Sequence, residues 1–340
     1  AGPSLDDALP FLRAQAGRIR ILACDTACGP LASAGIQIDA VVCLEGQVYN
    51  VADFLPMRRR DACLWADVSS HPSGFSAFHG PVQLVASTYS DASIHERLAR
   101  SGLPILTVPP LGSVGVLALR LARVAYGGPL LVFGLDFAYP QGQTHCANSP
   151  SMTHDDRMQH RLYRNKRAWA ASFREGTQAI ESGWQSDPAL AMYAQLAAAE
   201  IEEGTNSGRS YLDLRGAYSY PLPMDHAAYT ATSLWLDSLP TQPADRQEQA
   251  SESSRKAWER DARAFLTGEL AAAQELRTAL AGGAAQAELQ KLLSRADFCW
   301  IHFPDPERVL AMELDALKRV AAECSYWMDR LHDALSFNRA

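Results

Sequence analysis

The 340-residue chain has no apolar run long enough to span a bilayer, and its first residues lack the basic and apolar regions of a secretory leader. It also lacks an excess of basic charge. With 31 Lys and Arg against 38 Asp and Glu, its net charge of −7 argues against a general nucleic-acid binder, whose footprint is basic. Paired metal-ligand cysteines are missing too. The seven cysteines are scattered and odd in number, and Cys24 and Cys28 have no second pair to complete a zinc site. Reduced thiols of a cytoplasmic protein are the expectation. No short internal repeat is visible. No Met and no strand stand before Gly2-Pro3-Ser4, so an upstream strand and part of its loop are expected to precede residue 1. Hydrophobic residues at 47% and charged residues at 20% are ordinary for a globular protein with a sizeable core.

What is present centres on residues 105–147. Ile105–Val108 reads as a buried strand closed by Pro109-Pro110, and Leu111-Gly112-Ser113 opens a helix with Ser113 as its N-cap. Gly127-Gly128-Pro129 stops that helix. Leu130–Phe133 is an apolar strand whose carboxyl end carries Gly134, Asp136, Tyr139, Gln141, Thr144 and His145. Polar residues at such strand ends, beside a helix start, are where open α/β sheets bind ligands. Upstream, Ser4 is expected to cap a helix over 6–16, and strands are expected at 18–24, 39–44, 63–66 and 83–87. Repeated β-then-α units imply a doubly wound, mostly parallel sheet of Rossmann type. Downstream, helices are expected over 158–180 and 187–203, a strand over 211–214, and a polar linker over 241–254. About three helices follow to 335. The organisation read from this is an α/β domain over 1–240 and an appended helical module over 241–340.

Asp25 with Thr26, and Glu45 with Gln47, also follow strands, so three strand ends each bear a carboxylate and suggest one polar cleft. Each of these residues has a plainer reading as a local cap or loop group. Asp136 can accept from a ribose hydroxyl or hold a metal, Tyr139 can donate to a leaving phosphate, and His145, His154 and His160 compete as general base. Arg157, Arg161, Arg164 and Arg167 recur at helical spacing with His160 beside them. They form either an anion-binding face for phosphate or a sugar carboxylate, or a solvated basic one.

As an ordered series, Gly2-Pro3-Ser4-Leu5, Asp25-Thr26-Ala27, Gly112-Ser113-Val114 and Gly134-Leu135-Asp136-Phe137-Ala138-Tyr139, with Gly142 and Thr144-His145, resemble the motility-associated factor (Maf) family. That family shares a domain with the 6-hydroxymethylpterin pyrophosphokinase MptE, and the stretch is also similar to Campylobacter-type bacterial sialyltransferases. The resemblance covers residues 1–150 well and 151–225 loosely. It implies a sialyltransferase-like nucleotide-binding fold and transfer of a nonulosonic acid from a CMP-linked donor to Ser or Thr of flagellin. By that similarity Gly2, Ser4, Asp25, Thr26, Gly112, Ser113, Gly134 and Asp136 line the nucleotide site. Glu45, Gln47, Thr144, Arg161 and Arg164 meet substrate, and His145 or His154, with Tyr139, serves catalysis. Leu214-Arg215-Gly216-Ala217 departs from the family's Glu-Gly-Gly-Ala. Two other readings stay open. One is an MptE-like diphosphate transfer from ATP to a hydroxymethylpterin, with Mg²⁺ held by Asp25, Glu45 and Asp136. The other is a degenerate nucleotide-binding scaffold whose C-terminal helices dock a partner. Self-association through those helices is a further expectation.

Overall fold

The computed structural model describes residues 1–57, 61–88, 92–162, 167–239 and 252–336. The chain runs α1 (Leu5–Ala14), β1 (Leu22–Cys24), α2 (Cys28–Ser33), β2 (Ala40–Cys43), α3 (Val51–Phe54), β3 (Cys63–Asp67), α4 (Pro72–Ser76) and β4 (Val82–Ser87). It continues through α5 (Ser93–Ala99), β5 (Leu106–Val108), α6 (Val114–Ala125), β6 (Leu130–Val132), α7 (Pro150–Met158) and α8 (Arg167–Ala171). Next come β7 (Gln178–Ala179), β8 (Gln185–Ser186), α9 (Pro188–Asn206), β9 (Tyr211–Asp213), β10 (Asp225–His226) and α10 (Tyr229–Ser238). The last helices are α11 (Glu252–Gly282), α12 (Gln286–Arg295), α13 (Pro306–Leu310) and α14 (Leu314–Ser336).

The strands form a five-stranded sheet of order β1-β2-β3-β4-β5 and a three-stranded one of order β10-β9-β6. The pairings of β1 with β2, β2 with β3 and β3 with β4 are parallel, as are those of β6 with β9 and β9 with β10. The fold is therefore α/β with parallel sheets, flanking helices and a C-terminal helical region. All four residues of β2 are buried, so both faces of its sheet are covered. Val41, Cys43, Leu64 and Ala66 share one core with Leu5, Phe11 and Leu12 of α1 and Leu31 of α2. Helix α6 lies against β1 and β2. Its start is fixed as read, by Ser113 accepting from the Gly115 N–H at 3.2 Å. Asp187 caps α9 in the same way, accepting from Leu190 N–H at 2.9 Å. Between α6 and α9, Arg120 and Arg123 grip Glu200 and Glu203.

The chain divides into two compact units, residues 1–85 with 110–246, and residues 86–109 with 247–340. The C-terminal helices thus recruit α5 and β5, which the boundary read at 240 had assigned to the α/β domain. Within the second unit the Arg97 guanidinium forks onto Glu269 with two 2.8 Å bonds and reaches Asp297 at 3.2 Å, tying α5 to α11.

Two expectations are corrected. Residues 158–180 are not one helix: α7 ends at Met158, α8 is a single short turn, and Gln178–Ala179 pairs antiparallel with Gln185–Ser186. Gly176 and Gly183 at φ +78° and +87° supply left-handed turns that no helix interior holds. Ser4 does not cap α1, because its hydroxyl is drawn away to Asp136. Among the described residues, no helix is long and apolar enough to cross a membrane.

Candidate functional site

The carboxyl end of β6 is built around one buried carboxylate. Asp136 is 2% exposed, and its Oδ1 accepts from the Ser4 hydroxyl at 2.5 Å and the Ser219 hydroxyl at 2.9 Å. Its Oδ2 accepts from the Ser4 N–H at 2.8 Å. Burial pushes the Asp136 pKa up, opposed by the Ser4 and Ser219 bonds and by the Arg215 charge. Gly2 is required beside it: a Cβ there would lie 2.4 Å from Asp136 Oδ2. The Gly2 N–H donates to Gly134 O at 2.6 Å, and the N–H groups of Leu5 and Asp6 turn back to Gly2 O and Pro3 O. Gly134 at φ +60° and Phe137 at φ +49° bend the chain around Asp136, and the second is a conformation side chains rarely adopt.

Arg215, also 2% exposed, completes this floor. It bonds Asp213 Oδ2 at 2.7 Å and donates to the carbonyls of Leu135 at 2.9 Å and Tyr220 at 3.1 Å. The residue that departs from the family's Glu-Gly-Gly-Ala thus ties the end of β9 to the end of β6.

A second cluster stands at the ends of β1 and β2. Asp25, 4% exposed, accepts from the Thr26 N–H at 2.7 Å and from Asn50 Nδ2 at 2.9 Å. The same amide donates to Asp53 Oδ2 at 2.9 Å, and Asn50 Oδ1 accepts from the Cys43 thiol at 3.1 Å. Burial raises the Asp25 pKa, and burial plus the Asp25 charge push Asp53 up to about 7. Glu45 and Gln47 lie exposed beside this cluster, joined by Gln47 N–H donating to Glu45 Oε1 at 3.2 Å. Among the described residues, no three His, Cys, Asp or Glu side chains are grouped as metal ligands. Of the carboxylates considered from the sequence for Mg²⁺, Asp25 is bonded with Asn50 and Asp136 with Ser4 and Ser219.

Gly112, at φ +69°, lets the chain enter α6 against Tyr193, whose ring is 2.8 Å from where a Cβ would sit. The Tyr139 hydroxyl, expected to face a leaving phosphate, is buried and donates to Ala171 O at 3.0 Å. Its backbone pairs with Gln185 in both directions. His145 is half-buried, shares a 3.1 Å contact with Thr144 Oγ1, and is pushed down to about 4, chiefly by burial. His154 is exposed on α7. The Pro150 end of that helix packs near Gly29 of α2. Arg161 is exposed in the turn after α7, and Arg164 lies outside the described residues.

Asn50, Asp53 and Ser219 were not found from the sequence. Asn50-Val-Ala-Asp53 carried a readable signal, since the i,i+3 spacing sets an amide beside a carboxylate. Ser219, 83 residues from Asp136, carried none.

Residues 1–142 match the family described as 6-hydroxymethylpterin diphosphokinase MptE-like. An uncharacterized protein of Treponema pallidum (strain Nichols) is 30% identical over 349 residues, covering 97% of this chain and 60% of the relative. The solved structure of a Maf glycosyltransferase from Magnetospirillum magneticum AMB-1 has the same fold, with a TM-score of 0.51 at 13% identity over 99% of this chain. This chain spans 54% of that structure's length. The family match thus lies within residues 1–142, and the likeness to the Maf structure is one of fold.

Proposed function

We propose, from the MptE-like domain and the Maf-like fold, that this protein is a glycosyltransferase. It moves a nonulosonic, sialic-acid-like sugar from a CMP-linked donor to Ser or Thr of flagellin. The observation that carries this reading is the correspondence of fold with a Maf glycosyltransferase over 99% of the chain. At the carboxyl edge the Gly2–Ser4 turn, Gly134 and the Asp136 cluster form the floor for the nucleotide. Asp25, Thr26, Gly112 and Ser113 stand beside it. Glu45, Gln47, Thr144 and Arg161 supply polar contacts to the sugar, with Arg161 for its carboxylate.

In the reaction the acceptor hydroxyl oxygen bonds to the anomeric carbon as the bond from that carbon to the CMP phosphate oxygen breaks. CMP leaves with the electron pair, and the hydroxyl proton passes to a histidine. His154 fits this role better than His145, whose pKa near 4 makes it a weak proton acceptor at neutral pH. The test is CMP release from CMP-nonulosonates with flagellin present. Release that His154→Ala abolishes and His145→Ala leaves intact supports the assignment; no release with any CMP-nonulosonate rejects the reading.

The MptE-like match over residues 1–142 supports a second reading, diphosphate transfer from ATP to a hydroxymethylpterin with Mg²⁺. Strict dependence of product formation on a divalent metal and ATP would select it. The first reading places the enzyme in the cytoplasm, with a second copy meeting it through α11–α14; light scattering of the purified protein checks the latter.

A further inference from the structure

Asp136 holds three stretches of chain that are remote in sequence: the turn at residues 2–4, the end of β6, and the loop after β9. A carboxylate taken out of water is costly unless its oxygens are bonded. Here both are, by Ser4 N–H, Ser4 Oγ–H and Ser219 Oγ–H at 2.8, 2.5 and 2.9 Å. The Asp136 backbone joins in, its carbonyl accepting from Tyr220 N–H at 2.8 Å. With three of its roughly four acceptor sites taken, a side chain only 2% exposed is closed off by the protein from a ribose hydroxyl. The turn it holds is saturated, since the N–H groups of Gly2, Ser4, Leu5 and Asp6 all donate within the protein and Pro3 has none.

We propose that Asp136 is a positioning residue rather than a ligand contact. Through Ser4 and Ser219 it locks the Gly2–Ser4 turn to the Arg215–Tyr220 loop, and together these form one floor beneath the nucleotide. The inference rests on the proposed CMP site only for its binding arm.

Asparagine distinguishes this role from direct contact. In Asp136→Asn the amide oxygen can still take the Ser4 N–H, and the amide NH₂ can donate to the two hydroxyls, so the floor survives. A charge needed by ligand does not survive that change. Removing the hydroxyls, Ser4→Ala with Ser219→Ala, keeps the charge and breaks the lock. Ser4→Thr retains an Oγ and serves as rescue.

Two readouts test this on the whole chain. The first is amide hydrogen exchange of peptides spanning 1–8 and 216–222. The double variant is expected to accelerate exchange in both peptides together, whereas Asp136→Asn and Ser4→Thr leave them near the parent. The second is the Kd of CMP by calorimetry. It is expected to stay within about threefold for Asp136→Asn and to weaken at least about tenfold, or 1.4 kcal/mol, for the double variant. Parental exchange in both peptides of the double variant overturns the inference. So does loss of CMP binding in Asp136→Asn while the double variant binds normally. If the parent itself does not bind CMP, the donor reading fails, and the exchange arm still decides the role of Asp136.

Discussion

Gly2→Ala introduces one methyl group at the most tightly closed point of the carboxyl edge. The new carbon would stand 2.4 Å from Asp136 Oδ2, 2.6 Å from its Cγ and 2.9 Å from its Cβ. Side-chain carbons do not approach other atoms that closely, so either the turn or the carboxylate must move. The carboxylate has little freedom, because Ser4 and Ser219 hold both of its oxygens. The turn has little either, with Gly2 N–H bonded to Gly134 O at 2.6 Å. Overpacking of this kind costs about 1–3 kcal/mol, and losing one hydrogen bond to a buried charge costs about 1.5–3 kcal/mol more. The total of about 2.5–6 kcal/mol corresponds to a fall on the order of 10 °C in the melting temperature of a unit this size. Gly127→Ala is the control: nothing lies within 4 Å of its Cβ position, and its stability is expected within about 1 kcal/mol of the parent. Thermal and urea unfolding of the two variants check this. If Gly2→Ala melts within 2 °C or so of Gly127→Ala, the carboxylate and the turn are not locked and the reasoning about the floor is refuted.

Three further outcomes are expected. Asp53 has its folded pKa raised to about 7 from 3.8, so the folded state holds the proton more tightly; its stabilising effect is full below pH 4 and lost as pH rises to 7. Asp53→Asn should therefore flatten the decline of melting temperature between pH 4 and 7, and an unchanged slope would count against the burial of Asp53 beside Asp25. His145, depressed to about 4 from 6.5, acts in the opposite sense, its contribution being lost as pH falls from 6.5 towards 4. A proton NMR titration should find its ring neutral at pH 5.5, and a midpoint above 6 would contradict its burial. Glu200→Ala removes the buried partner of Arg120 and Arg123, leaving them only the exposed Glu203, and should cost about 2–3 kcal/mol in urea unfolding, with most of it absent in an Arg120→Ala, Arg123→Ala background.

The β-then-α units were legible because each strand is a compact apolar run followed by a turn residue. Val41-Val42 and Leu131-Val132 read as strands from hydrophobicity alone. Caps were legible where the capping residue bonds within its own helix, as at Ser113 and Asp187. Ser4 has the same local signature, yet its hydroxyl goes to a partner 132 residues away, which no window of sequence displays. Residues 158–180 read as helical from their Ala and Arg content, while Gly176 and Gly183 and the pairing of Tyr139 with Gln185 impose a hairpin. The candidate site shows the same division. Asp25 and Asp136 were visible as strand-end carboxylates. That one is held by Asn50 and the other by Ser4 and Ser219 depends on tertiary contact, and so does the burial that shifts Asp53 and His145.

The central claim, a cytidine-nucleotide site at the carboxyl edge, is tested most directly by the melting temperature of the purified chain with CMP, CDP, or ATP plus Mg²⁺. Ligand at 100 times its Kd adds about 2.7 kcal/mol of stability. The account expects a rise with CMP or CDP, independent of metal. A rise only with ATP and Mg²⁺, or with none of the three, would contradict it.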